Sequence, residues 1–296
     1  MKRIFFLIVL SIMAVSCSTG GKLGRMRTEA ESVRIGTYNL WRSDIGKGDY
    51  AWEVRKDRLA RSIAEIGFDV FGVQELNLTI QQELPGLLAE NGAPEYVWYI
   101  FSPYSEDGKG DRAQAILFRK DRFTLVEAHK FWISPTPEVK SKGWDEVRFY
   151  RGGCCVTLKD KRNGKEFFVI HSHFPLAKQA HTMAADVIIS QAMKYNKKNL
   201  PAFFIGDLNV PPTAESSKKS RSYWTDSFMA LPDDAKEGPS GTFNGHDADR
   251  DMSQARRIDY VYFRGDVTPV KYHCFDKKYD GFWPSDHCAV FVDMKY

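Results

Sequence analysis

A layered α/β fold, with sheets packed inside helices, is what this amino-acid sequence predicts. Three observations carry the prediction. Short apolar runs of β-rich composition recur along the chain, each bounded by turn residues. Stretches with apolar residues near helical spacing lie between them. With 296 residues, 43% of them hydrophobic and 14% aromatic, one domain can bury a sizeable core without staples.

The first segment stands apart from that fold. Met1, Lys2 and Arg3 are a short positive start, and 4–15 is an apolar run broken only by Ser11. The run is too short for an ordinary membrane-spanning helix and fits the apolar region of a secretory signal. Ala14-Val15-Ser16-Cys17 follows, with small residues just before a cysteine. This resembles the cleavage site of bacterial lipoproteins, in which the cysteine becomes the lipidated first residue, although Leu is usual where Ala14 stands. The expectation is a lipoprotein signal peptide over 1–16 and a lipidated tether over 17–32, polar and bearing Gly20, Gly21 and Gly24. A membrane anchor at Cys17 then places the protein in the bacterial cell envelope, on the periplasmic face or the cell surface. The alternative is a plain secretory signal in which Cys17 has no role.

From 33 to 296 the chain repeats one grammar, an apolar strand that ends in polar residues. The segment 33–38 alternates and ends at Asn39, and 69–73 ends at Gln74 and Glu75. A further strand covers 115–118. The segment 167–170 runs into His171-Ser172-His173, and 202–205 into Gly206-Asp207-Leu208-Asn209. Ile258 and 260–263 flank Asp259, and Ser285-Asp286-His287 precedes 289–292. Helices are expected over 50–66, 79–90 and 180–195, where apolar residues such as Trp52, Leu59, Ile63 and Ile66 are spaced by charges. Lys218-Lys219-Ser220-Arg221, 247–250 and Arg256-Arg257 read as loops. No linker follows Ser32, so 33–296 is expected to be one domain.

Charge and cysteines exclude some functions and leave others open. The net charge is +4, and losing Lys2 and Arg3 with the signal lowers it further. So weak an excess makes no case for nucleic-acid binding. Export permits disulfides. Neighbours Cys154 and Cys155 pair only under strain, Cys274 and Cys288 can meet if their strands are adjacent, and buried free thiols are an equal alternative.

The polar strand ends gather a recognisable chemistry. Asp207 and Asn209 are two apart and face the same way on an extended segment. A buried strand ending in a bare carboxylate is costly unless the charge is paired or binds a metal. Glu75, Asp207, Asp259, Asp286, His173, His287, Asn39 and Asn209 stand at the ends of different strands, which points to one convergent site. Phosphoester hydrolysis suits it. Carboxylates hold a hard cation such as Mg²⁺, the cation neutralises phosphoryl charge, and histidine moves protons near neutral pH while an aspartate orients it.

Thr37-Tyr38-Asn39, Val73-Gln74-Glu75, His171-Ser172-His173, Gly206-Asp207-Leu208-Asn209, Arg257-Ile258-Asp259-Tyr260 and Ser285-Asp286-His287 also occur in a familiar order. In this the chain resembles the endonuclease/exonuclease/phosphatase family, and its text over 131–134 and 141–145 looks most like a secreted bacterial branch. The resemblance implies a four-layer αββα sandwich, two mixed sheets face to face with helices outside. It implies Asn39 and Glu75 at Mg²⁺ (Mn²⁺ second), with Asp286 close by as a third metal residue. It implies Asp207 orienting or deprotonating water, Asn209 holding phosphate, and His287 as base or phosphate ligand. Asp259 would orient a histidine, and His173 would contact phosphate or serve the leaving group. The chain departs from the family in carrying His171 where Asn is usual and Pro175 where Asp is usual. On a strand His171 and His173 face the same way, so His171 is a candidate substrate contact. Arg112 sits where some nucleases of the family place a phosphate-contacting arginine, and Asn244 is a turn residue or a pocket contact.

Bland alternatives stand beside these. Asp259 could be half of a structural ion pair with Arg256 or Arg257, and Trp283 could line the site mouth or pack the core. The functional expectation is a metal-dependent phosphodiesterase acting on nucleic acid or on a phospholipid or sphingolipid head group. The alternatives are a phosphomonoesterase acting on sugar or inositol phosphates, and, in another class, a phosphate-binding protein without chemistry. No protein partner is implied.

Overall fold

The computed structural model describes residues 32–103 and 112–296. The expected signal peptide over 1–16, the lipidated Cys17 and all of the tether except Ser32 lie outside the described residues. In chain order the elements are β1 (Ser32–Asn39), α1 (Trp52–Ile66), β2 (Val70–Leu76), α2 (Leu78–Glu90), β3 (Tyr96–Phe101), β4 (Ala113–Arg119), β5 (Phe123–Trp132) and β6 (Gly152–Asp160). Then come β7 (Glu166–His173), α3 (Lys178–Tyr195), β8 (Ala202–Asp207), α4 (Glu215–Ser220), β9 (Thr225–Asp226), α5 (Ser227–Ala230), β10 (Lys236–Glu237), β11 (Asp259–Arg264), β12 (Thr268–Phe275) and β13 (Ala289–Lys295).

They form a seven-stranded sheet in the order β10-β12-β13-β1-β2-β4-β3 and a six-stranded sheet in the order β5-β6-β7-β8-β11-β9. Both sheets are mixed. β1 and β2 run parallel inside the first, and β7 and β8 inside the second, while their other central neighbours run antiparallel. Alternation along each strand decides what lies where. Val33, Ile35, Val70, Val169, Phe203, Ile205, Val261 and Val290 point between the sheets and form the central core. Tyr38, Phe71, Val73 and Phe291 point the other way and pack on Leu59, Ile63, Ile80 and Leu84 of α1 and α2. Phe168, Ile170, Phe204 and Tyr260 pack on Ala184, Ile188 and Ala192 of α3. The result is four layers, helix–sheet–sheet–helix. The helix ends follow ordinary rules. Gly67 closes α1 in the left-handed region at φ 58°, its N–H on the Ile63 carbonyl, and the Asn77 side chain caps α2.

The structure adds strands to those expected and changes one loop. β3 and β5 lie at sheet edges, and β12 lies next to one. The outer faces of β5 and β12 are wetted and carry polar residues that mask the strand pattern, as in Thr124, Glu127 and Lys130 of β5. β6 opens on Gly152-Gly153. The loop expected at Lys218–Arg221 is instead α4, with Arg221 as its C-cap residue. Trp283 belongs to the central core. Cys154, Cys155, Cys274 and Cys288 are free and buried.

Candidate active site

The strand alternation that buries apolar side chains between the sheets carries polar ones into the same space at the strand ends. On β8 the inward line is Phe203, Ile205, then Asp207. On β7 it is Phe167, Val169, then His171 and His173. On β11 it is Phe263, Val261, then Asp259. Register sets them abreast. His173 lies opposite Asp207 in the β7–β8 pair, and Asp259 lies opposite Asp207 in the β8–β11 pair. Asn39, ending β1 in the other sheet, donates from Nδ2 to Asp207 Oδ2 at 3.1 Å.

His287 arrives from the loop before β13. An isolated bridge to Phe243 and the 2.7 Å bond from Cys288 N–H to the Thr242 carbonyl hold that loop. His287 Nδ1–H donates to Asp259 Oδ2 at 2.9 Å, which leaves Nε2 facing Asp207 Oδ2 at 3.8 Å and Asp286 Oδ1 at 4.0 Å. His173 Nε2 lies 3.4 Å from the same Asp207 oxygen. The Thr242 hydroxyl, which the sequence did not single out, donates to Asp259 Oδ2 at 2.6 Å and accepts the Ile258 N–H at 3.0 Å. Arg257 pairs with Asp226 at 2.8 Å, which leaves Asp259 to the histidine.

Backbone strain aims two more groups. Glu75 and Asn209 both adopt φ 59°, a left-handed conformation seldom held by residues other than glycine. For Glu75 this accompanies the irregular register of β2 between Val73 and Leu76. Its Oε2 accepts one long bond, from Arg42 N–H at 3.4 Å. Asn209 N–H caps Asp207 Oδ1 at 2.8 Å, and its Nδ2 donates to the Phe174 carbonyl at 3.0 Å. Arg55, buried beneath, donates to the carbonyls of Leu40, Trp41, Arg42 and Pro284, so one guanidinium ties the 40–42 turn to the loop of Asp286.

The electrostatics are those of crowded acids. Burial, then the Asp259 charge, pushes the Asp207 carboxyl up to about 7. Burial raises Asp286 to about 6, against the opposing charge of His287 and with that of Glu75. Burial acts against a charged His287, but Asp259, Asp286 and Asp207 together hold it well above the usual histidine range. His173 falls well below that range through burial and then through Arg151 and His287. Such a site favours a cation. Asp259 Oδ1 has no partner, and Glu75, Asp286 and the Asn39 amide oxygen are the hard donors that a divalent ion takes. Asp207, Asp259 and His287 form a second cluster with donor atoms within 4.8 Å of one another. There the His287–Asp259 bond uses Nδ1 and Oδ2, which leaves Nε2 and Asp259 Oδ1 as donor atoms beside Asp207.

Two expected substrate contacts lie elsewhere. His171 is fully buried, with Nδ1 3.0 Å from the Ile205 carbonyl and Nε2 3.1 Å from the Val73 carbonyl. It braces one sheet against the other below the site, and burial lowers its pKa to about 4. Asn244 is fully buried too. Its Nδ2 donates to the Ser285 carbonyl at 3.0 Å and its Oδ1 accepts the His246 N–H at 2.8 Å, so both ends of the amide shape the loop and none is left for a ligand. Arg112 stacks on the Phe149 ring, 4.1 Å from its centroid, and its charge reaches His173. Arg151 stands nearer the acids, within the fields of Glu75 and Asp207. It stands in no motif, and the register of β6 on β7 brings it to the site.

Comparison with known proteins agrees with this geometry. Residues 36–287 match the model of the Endonuclease/Exonuclease/phosphatase family. The chain is similar to the crystal structure of a protein of that family from Bacteroides thetaiotaomicron, with 28% identity over 90% of this chain and 98% of that chain and a TM-score of 0.80. It is similar to the same extent, 28%, to a mannosyl-6-phosphatase from Bacteroides thetaiotaomicron, over 89% of this chain and 100% of that one, with a TM-score of 0.79. It shares the fold of the human Nocturnin catalytic domain with bound sulfate, at 19% identity, coverage of 90% and 94%, and a TM-score of 0.69. No curated protein matches the chain.

Proposed function

The chain belongs to the endonuclease/exonuclease/phosphatase family, and from that premise we propose that it hydrolyses a phosphomonoester of a sugar or similar small alcohol by attack of water. The observation that carries the reading is the environment of Asp207. One buried carboxylate meets Asn39, His173, Asn209 N–H and the His287–Asp259 pair. A carboxyl near 7 is matched to taking a proton from water at neutral pH. Asn39 and the Asn209 N–H fix its oxygens. His287, kept protonated and oriented by Asp259, presents Nε2–H to phosphoryl oxygen and stabilises the charge that builds there. The neutral His173 serves the same oxygens or the departing alkoxide.

Glu75, Asp286 and Asn39 would hold a divalent cation, Mg²⁺ first and Mn²⁺ second. When bound, it would neutralise phosphoryl charge. The likeness to a mannosyl-6-phosphatase over nearly the whole chain supports the monoester. A phosphodiester in nucleic acid or a lipid head group is the second reading, supported by the motif order from Asn39 to His287. Export, with anchoring at Cys17, is proposed on the pattern of 1–17 alone.

The test uses purified protein with Mg²⁺ or EDTA. The substrates are p-nitrophenyl phosphate, bis-p-nitrophenyl phosphate, mannose 6-phosphate, plasmid DNA and sphingomyelin vesicles. EDTA-sensitive release of phosphate from the monoesters is expected. Cleavage of diesters alone would move the assignment to a phosphodiesterase, and inertness toward all five would refute hydrolysis.

A further inference from the structure

We propose that Arg151 grips the substrate's phosphoryl oxygens and gives the site its preference for a terminal phosphate over a diester. The inference rests on the phosphoester reading above and adds the residue that selects the ester class.

Arg151 immediately precedes β6. Gly153 pairs with Ser172 of β7, so Arg151 stands beside the end of β7 that carries His173. It is 7% exposed, yet its guanidinium makes no hydrogen bond or ion pair with any described residue, and its Nε is buried without a partner. The other buried arginines are treated differently. Arg34 has Asp293, Arg122 has Asp160 and Asp69, and Arg257 has Asp226. Arg55 and Arg58 donate to main-chain carbonyls. Burying a guanidinium without such partners is destabilising, and a bound anion would offset that.

The surroundings name that anion. Arg112 and Arg151 approach one ring, Phe149, at 4.1 and 5.6 Å. Glu146, the nearby buried carboxylate, spends its Oε1 on the N–H groups of Arg148 and Phe149 and so shapes the loop. Two guanidiniums at one rim repel each other until an anion enters. A guanidinium suits a phosphoryl oxygen, to which it donates without competing for protons. Glu75, Asp286 and Asn39 would hold a cation that would neutralise one non-bridging oxygen, and His287 would take a second. Arg151 would then take a third such oxygen, which a monoester carries and a diester lacks.

The test compares Arg151→Ala and Arg151→Lys with wild type, after melting curves show that each is folded. The measurements are kcat/KM on p-nitrophenyl phosphate and on bis-p-nitrophenyl phosphate, and the rise in melting temperature caused by inorganic phosphate. Arg151→Ala should lose about a hundredfold on the monoester, less than about fivefold on the diester, and the phosphate-induced rise. Arg151→Lys should recover part of each. Equal losses on both esters, or an undiminished monoester rate, would overturn the role of Arg151. Wild-type protein inert to both esters would overturn the phosphoester reading. In that case a phosphate-induced rise that vanishes only in the Arg151 variants would still uphold the anion grip.

Discussion

The Asn39 side chain donates to the Asp207 carboxylate across the gap between the two sheets, 3.1 Å from Nδ2 to Oδ2. The bond joins the end of β1 to the end of β8, so the Asp207 carboxylate is positioned by the packing of one sheet on the other. Nearby, the Ser285 hydroxyl donates to the Asn39 carbonyl at 2.6 Å and ties in the loop of Asp286 and His287.

Burial makes Asp207 a stability cost that grows with pH. Its carboxyl is raised from 3.8 to about 7 in the fold, so metal-free protein loses stability as pH rises through that window. Asp207→Asn lacks the charge. In EDTA at pH 8 it should melt higher than wild type, and the two should converge below about pH 4. Adding Mg²⁺ should raise the wild-type melting temperature. An Asn variant that melts lower at pH 8 would contradict the electrostatic account.

Asp259 sets the charge state of His287. Removing its carboxylate by Asp259→Asn should lower the His287 pKa, read from the imidazole Cε1–H shift by NMR in metal-free protein. Turnover should fall by about 10²-fold or more. An unmoved histidine titration would show that the 2.9 Å contact carries no charge coupling.

Far from the site, Arg34 grips Asp293 through two bonds of 2.7 Å. Burial opposes the Asp293 carboxylate, but the bonds from Arg34 and then His273 hold its pKa down at about 2. A depressed carboxyl adds stability that is present above the unfolded value and is lost as pH falls from about 4 to 2. Asp293→Asn should therefore cost about 2 kcal/mol at pH 7 and much less at pH 2, measured by urea unfolding at both.

Gly72 faces His171 between the sheets, and a Cβ there would lie 2.4 Å from His171 Nδ1. The buried ring sits between the Ile205 and Val73 carbonyls, donating to one of them, and has little room to retreat. Gly72→Ala should destabilise by about 3 kcal/mol, again by urea unfolding. A neutral result would mean that the strut yields.

Much of this was legible in the sequence because period-two alternation and polar strand ends are the same signal. Phe203, Ile205 and Asp207 form one inward line, and reading the apolar part locates the acid. The buried strands β1, β2, β4, β7, β8, β11 and β13 declared themselves by their apolar runs, and α1, α2 and α3 by helical spacing, whereas the equally buried β6 did not. What escaped depends on register and on loops. Arg151 reaches the site only through the pairing of β6 with β7, and Thr242 only through the loop that seats His287. His171 and Asn244 show the converse. A strand or turn residue beside a site is drawn in by sequence, whereas burial and two backbone partners turn it into a brace. The edge strand β5 hid because half its residues meet water.

The most direct measurement is kcat for Asp207→Asn and His287→Ala on the ester that wild type cleaves fastest, with Mg²⁺ saturating and each variant shown to be folded. The account predicts that each falls by about 10³-fold or more. Near-normal turnover in either variant would contradict the assignment of this cluster as the catalytic centre.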